Sequence, residues 1–218
     1  ALTVLELGRP PGKARSGQKL REDTMTDIAP GAWAASLTPL NADLSIDTDA
    51  YLAHIHRLLG GGCAGVAALG TTGEANSFSL AERLALIDKL GAAALPRERL
   101  MLGVGCCAQP DTVALTRAAL AAGYTNVLML PPFYYKVVSE EGIFRAYASA
   151  IEAVNDPRLR VIIYDFPQMT GIKMSTEFLG RLADAFKGVV VGVKNSSGDW
   201  LAMEAALEDF HSVSYLRH

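Results

Sequence analysis

The chain has 218 residues, 50% of them hydrophobic and 20% charged, with a formal net charge of −3 at pH 7 and a mean hydropathy of +0.20. That length suits one α/β domain with a large core, the mild acidity leaves no footprint for nucleic acid, and no apolar run is long enough for a membrane span. Small molecules and other protein chains remain as partners, and a cytoplasmic location is expected. Cys63, Cys106 and Cys107 spell neither a disulfide framework nor a metal motif and read as small buried hydrophobes in a reducing compartment. His54 and His56, two apart on an expected helix, point in different directions and make a poor metal pair. No metal and no cofactor are expected.

Residues 1–24 are a different material. Gly8-Arg9-Pro10-Pro11-Gly12-Lys13 and the Lys/Arg/Gly/Ser stretch after it lack hydrophobic periodicity and the apolar core of a secretory signal. They are expected to be a disordered extension or a start-site artefact, with the functional domain at 25–218.

From there apolar runs near 32–38, 64–69, 100–105, 126–131, 160–166 and 189–194 read as strands, and amphipathic runs near 48–59, 80–94, 111–122, 140–154, 175–186 and 199–209 read as helices. Asp47 and Ser79 are candidate N-caps, Pro110-Asp111 and Ser139-Glu140-Glu141 favour helix starts, and Gly60-Gly61-Gly62 and Gly123 stop helices. Repeated strand-then-helix units imply a parallel sheet with right-handed crossovers. Six units, with Ser212-Val213-Ser214-Tyr215-Leu216 as a seventh strand, predict a TIM (β/α)8 barrel rather than a doubly wound sheet. No Gly-x-Gly-x-x-Gly follows the first strand, and Gly103-Val104-Gly105 before Cys106-Cys107 reads as a tight strand exit. Eight strands close such a barrel, so the chain is expected to be truncated after the seventh, without strand 8 and the C-terminal helices.

Three polar clusters end apolar strands, where α/β folds assemble their sites. Val66-Ala67-Ala68-Leu69 runs into Gly70-Thr71-Thr72-Gly73-Glu74, Val161-Ile162-Ile163 ends in Tyr164, and Val189-Val190-Val191 leads to Gly192-Val193-Lys194. A lone ammonium at a buried strand end is costly. Desolvation depresses its pKa and leaves free amine able to attack a carbonyl, so Lys194 reads as a Schiff-base nucleophile. A strand-end lysine also snorkels to solvent in many proteins, and the segment alone leaves both readings open.

Gly-Thr-Thr-Gly-Glu at 70–74, Tyr164-x-x-Pro167 with Thr170-Gly171 after it, and Gly192-Val193-Lys194 occur in one order, and this ordered set resembles the dihydrodipicolinate synthase and N-acetylneuraminate lyase family of class I, pyruvate-dependent aldolases. The resemblance runs from about Gly31 to about Phe210. It implies that Lys194 forms an imine with pyruvate, that Tyr164 is the general acid/base, and that Thr71 links Tyr164 to a second tyrosine in a proton relay. It implies further that Thr72 and backbone amides near Gly73 receive the pyruvate carboxylate, with Met169 and Gly192 also lining the substrate site. The second tyrosine is assigned to Tyr134, with Tyr135 as the register alternative and a rim or interface cluster without chemistry as the other reading. In synthase-type relatives this side chain enters a neighbouring subunit, which implies a homo-oligomer, a dimer or tetramer.

One departure bears on substrate. Synthases of the family place an arginine where this chain has Met169, and a thioether cannot grip a carboxylate in bidentate fashion. The expected reaction is therefore condensation of pyruvate with an aldehyde, or cleavage of a 2-oxo acid to pyruvate, with a sugar-acid aldolase or dehydratase preferred over 4-hydroxy-tetrahydrodipicolinate synthase. Glu74 is expected to cap backbone donors, and Asp165 and Asp199 read as turn or helix-start acids without catalytic roles. From another class comes a catalytically dead truncated barrel, retained for association or non-functional.

Overall fold

The computed structural model describes residues 2–5, 28–201, 203, 204 and 214–217. Strands β2 (Gly31–Ala35), β3 (Gly65–Ala68), β4 (Leu100–Gly103), β5 (Asn126–Met129), β6 (Arg160–Asp165) and β7 (Val190–Asn195) run parallel in sequence order. Helices α1 (Thr48–Gly60), α2 (Leu80–Ala92), α3 (Gln109–Ala121), α4 (Glu140–Val154) and α6 (Thr176–Ala185) fill the crossovers, and a single turn, α5 (Pro167–Thr170), precedes α6. Strand β8 (Ser214–Arg217) continues parallel beside β7. The TIM-barrel class and the elements expected across 31–195 are present, and most of the helix expected near 199–209 lies outside the described residues.

Seven parallel strands, β2 to β8, are present as expected, and the chain adds one more. Leu2–Leu5 form β1, antiparallel to β2 on one side and to β8 on the other, and complete a closed order β1 to β8. At Leu2–Leu5 the expected disordered extension is thus a paired strand, and residues 6–24 lie outside the described set. A strand edge presents a row of unmet N–H and C=O groups, and β1 supplies partners for two such edges.

Strand alternation divides the core in two. Trp33, Ala67, Met101, Leu128, Ile162 and Val191 fill the barrel interior, while Val66, Ala68, Leu102, Val127, Val161, Ile163 and Val193 pack outward against the helices. Trp33 is fully buried and lies against its register partner Gly65, where a Cβ would stand 2.4 Å from the indole. The helix starts follow the expected caps. Asp47 Oδ1 accepts from Ala50 N at 2.9 Å, Ser79 and Glu82 form a reciprocal capping box, and Ser139 Oγ accepts from Gly142 N at 3.1 Å. Corrections concern four side chains. Glu74 sits in the left-handed region at φ 53° and makes no capping bond, while Cys63 and Cys106 are only partly buried and Cys107 is exposed.

Gly103 ends β4 beneath the site loop. A Cβ there would lie 1.9 Å from Leu69 O, and buried Arg83 from α2 donates Nη2 to Gly103 O at 3.0 Å. Gly103→Ala forces backbone apart in a close-packed layer and is expected to cost at least about 1–3 kcal/mol. Urea unfolding measures it, and an unchanged midpoint would contradict this packing.

Candidate active site

The end of β7 is aimed by an irregularity. Val161 pairs with Val190, but Ile162 pairs with Gly192, so Val191 is an extra residue opposite the β6 step. Val191 faces the barrel interior. Strict alternation from it would put Val193 inside and Lys194 outside. The bulge inverts that phase, bringing Lys194 inside as register partner of Tyr164 and leaving Val193 opposite Ile163 on the helix side.

Lys194 is 2% exposed and its Nζ lies 3.7 Å from the centroid of the Tyr164 ring. Burial holds the Lys194 ammonium below the usual lysine range, and the Tyr164 phenol, through its charge and a hydrogen bond, works partly in the opposite direction. Tyr164 is itself buried and stacks on Phe166, with ring centroids 5.7 Å apart. A lysine between an aromatic face and apolar walls is a desolvated amine in a shielded chamber, the state in which it attacks carbonyl carbon.

The 70–74 loop arrives from β3. Thr71 and Tyr164 line one narrow cavity with Gly70, Leu128 and Leu130. Gly73 is buried, its carbonyl accepts from Thr38 Oγ1 at 2.7 Å, and a Cβ at this position would meet Ser36 O and Thr38 Oγ1 at 3.0 Å. Thr72 beside it is exposed. Gly192 lies on β7 opposite Ile162, two residues before Lys194. Lys194, Tyr164 and Thr71 are therefore brought together, with Gly192 on the same strand and Gly73 fixed below the loop.

Two expected residues stand apart. Tyr134 is 72% exposed and packs edge-on against Tyr135 at 5.1 Å between centroids, on a loop that also exposes Val137 and Val138. Met169 is half exposed on α5. Sequence reasoning passed over two groups. Lys136 Nζ donates to the carbonyls of Phe133 and Thr170, tying the loop after β5 to α5. Asp165, read as a turn acid, is 4% exposed at the end of β6, and the alternation after Tyr164 was the signal that it turns away from the chamber. Among the described residues no group of three His, Cys, Asp or Glu side chains is placed to hold a metal, and no helix is long and apolar enough to cross a membrane.

The chain is thus a strand-and-helix barrel with a buried lysine beside a tyrosine at its strand ends. The Dihydrodipicolinate synthetase family matches residues 29–215, and the chain belongs to it. An uncharacterized DapA-like lyase of Chloroflexus aurantiacus is 38% identical over 174 residues, which are 78% of this chain and 56% of that protein. The solved dihydrodipicolinate synthase from Agrobacterium tumefaciens is 36% identical with a TM-score of 0.81, over 85% of this chain and 64% of the other. YagE from E. coli K12, a prophage protein of the dihydrodipicolinic acid synthase family solved in complex with pyruvate, is 25% identical with a TM-score of 0.73, over 82% and 58% of the two chains. The chain spans a little over half the length of the curated relatives it matches.

The buried ammonium carries a consequence for stability. With the folded pKa of Lys194 depressed, neutral amine favours the fold above the unfolded lysine pKa, and that contribution is lost as pH falls through the folded value. At pH 7 the charge is a cost. Lys194→Met keeps the stem and removes the charge, so its melting temperature at pH 7 is expected to equal or exceed that of the parent. A clear drop in thermal melts would contradict a desolvated ammonium at this position.

Proposed function

We propose that this chain carries the centre of a class I, Schiff-base-forming lyase that joins pyruvate to an aldehyde or cleaves the resulting 2-oxo acid. The observation that carries the reading is the burial of Lys194 against Tyr164. The neutral amine attacks the pyruvate ketone carbon, and loss of water leaves a protonated imine. The imine draws electrons from the neighbouring methyl group, which releases a proton to become an enamine. The enamine carbon then bonds to the aldehyde carbon, the new oxyanion takes up a proton, and water returns the free lysine.

In this scheme Tyr164 is the proton carrier. A phenol is a weak acid and works here with help, which Thr71 in the shared cavity supplies as a hydroxyl relay and the iminium supplies as charge. The pyruvate carboxylate goes to Thr72 and the backbone at Gly73, with Gly192 giving clearance on β7. Tyr134 completes the relay from a neighbouring copy. The exposed Tyr134, Tyr135 and Val137 on one loop support a homo-oligomer, as apolar rings and side chains left in solvent favour a partner surface. Pyruvate is supported by family membership and by its presence in the complex with YagE. A cytoplasmic setting is part of the same proposal.

Borohydride reduction in the presence of pyruvate tests the nucleophile. One reduced adduct per chain is expected, mapped by peptide mass spectrometry to Lys194 and absent from Lys194→Ala. Undiminished labelling in that variant would defeat the assignment.

The aldehyde partner is inferred from Met169. The side chain offers no charge to a second carboxylate, which favours a polyhydroxy aldehyde over aspartate semialdehyde. Met169→Arg adds a charge-assisted contact worth about 1.5–3 kcal/mol and is expected to raise kcat/KM for aspartate semialdehyde relative to a neutral sugar aldehyde. An unchanged ratio would remove Met169 from the specificity argument.

A further inference from the structure

Tyr164 and Lys194 face into the barrel, and the residue after each faces the other way. These two, Asp165 and Asn195, are register partners, 4% and 5% exposed, and Asn195 Nδ2 donates to Asp165 Oδ2 at 3.1 Å. The Met174 N–H, from the segment leading into α6, donates to the same carboxylate. The Asp165 carbonyl accepts from Ser196 N at 2.8 Å, while Asn195 Oδ1 accepts from Ser197 N at 2.8 Å and Ser197 Oγ at 2.6 Å. Asp165 and Asn195 together therefore join β6, β7 with its exit turn, and the approach to α6.

The arrangement is an expensive one. Asp165 Oδ1 has no protein partner and lies beside a cavity of about 210 Å³ lined also by Gln168, Lys173, Thr176 and Asp199. Burial pushes the Asp165 carboxyl up to about 6, against a partial offset from Lys173 and the Met174 N–H. The other titratable groups around it are the Tyr147 phenol on α4, which the Asp165 charge helps push up, and Asp199 after β7. A raised folded pKa contributes stability below the unfolded value of 3.8 and loses it as pH rises through about 6, so near neutrality ionised Asp165 lowers stability. A neutral amide of the same shape would fit the fold at less cost.

We propose that Asp165 is a positioning residue for the imine chemistry, its carboxylate clamping Asn195 to β6 so that Lys194 is held against Tyr164. The inference rests on Lys194 as the imine-forming residue. Small displacements of reacting groups cost up to about a hundredfold in rate, and among the described residues the clamp is the side-chain bond that joins β6 to β7 themselves, the Gln168 contact with the Ser197 carbonyl lying beyond both strand ends.

The test uses the full chain, and reads the rate of borohydride-trapped pyruvate at saturation, the half-saturating pyruvate concentration and the thermal melt for the parent, Asp165→Asn, Asp165→Ala and Asn195→Ala. Both alanine variants are expected to slow maximal trapping by about tenfold, with half-saturation little changed. Asp165→Asn is expected to melt at or above the parent near pH 7 and yet to trap more slowly. Its rate should also lack the step near pH 6 that the parent shows as Asp165 takes up a proton. Stability and rate moving in opposite directions is a result that a merely structural role does not give. If the alanine variants unfold, Asp165→Asn carries the test. Parental rates and an unaltered pH profile in folded Asp165→Asn would overturn the inference while leaving Lys194 in place, whereas absence of labelling in the parent would overturn the lysine reading and this inference with it.

Discussion

Everything in this site depends on one ammonium group kept out of water. Lys194 lies inside a barrel whose other interior side chains are almost all apolar, with the face of Tyr164 as its nearest electrostatic partner. An isolated charge in such a place is unfavourable by several kcal/mol unless it neutralises or is compensated, so the surroundings act on its proton first. That pressure turns an ordinary basic side chain into an amine able to attack carbonyl carbon. The bulge at Val191 is what delivers it: paired without a bulge from Val190 onward, the same sequence would set Val193 opposite Tyr164 and turn the lysine to the helix layer.

The second structural theme is that the chamber is shaped by backbone held close. Gly103 sits where no side chain fits against Leu69, Gly73 is locked by the Thr38 hydroxyl, and Trp33 plugs the interior against Gly65. These contacts leave the 70–74 loop little freedom and set Thr71 across from Tyr164. On the opposite face the Asp165–Asn195 contact joins the strand ends that carry the tyrosine and the lysine. The two faces of β6 and β7 thus differ, with the lysine and tyrosine inside and the Asp165–Asn195 contact outside.

Much of this was legible in the amino-acid order. Short continuous apolar runs, amphipathic stretches and well-placed caps marked the strands and helices across 31–195, and the polar ends of three strands pointed to Thr71, Tyr164 and Lys194. The phase of Lys194 was not legible, since alternation from Val191 through Val193 puts the lysine outside, and an inserted residue leaves no mark in a run of valines. Asp165 read as a turn acid because its burial is set by Met174 and Asn195, which approach from other elements. Leu2-Thr3-Val4-Leu5 was passed over for a related reason. The Gly, Pro and Lys that follow dominate the local composition, whereas the pairing of those four residues depends on β2 and β8, distant in the chain.

Lys194 is a buried amine with a depressed pKa. Carbon-13 NMR of protein labelled at the lysine ε-carbons, titrated with pH, reads it directly. One resonance should titrate below the other lysines and vanish in Lys194→Met. If all lysine resonances titrate together in the ordinary range, Lys194 is solvated, and neither the bulge nor the tyrosine face has the role assigned to it.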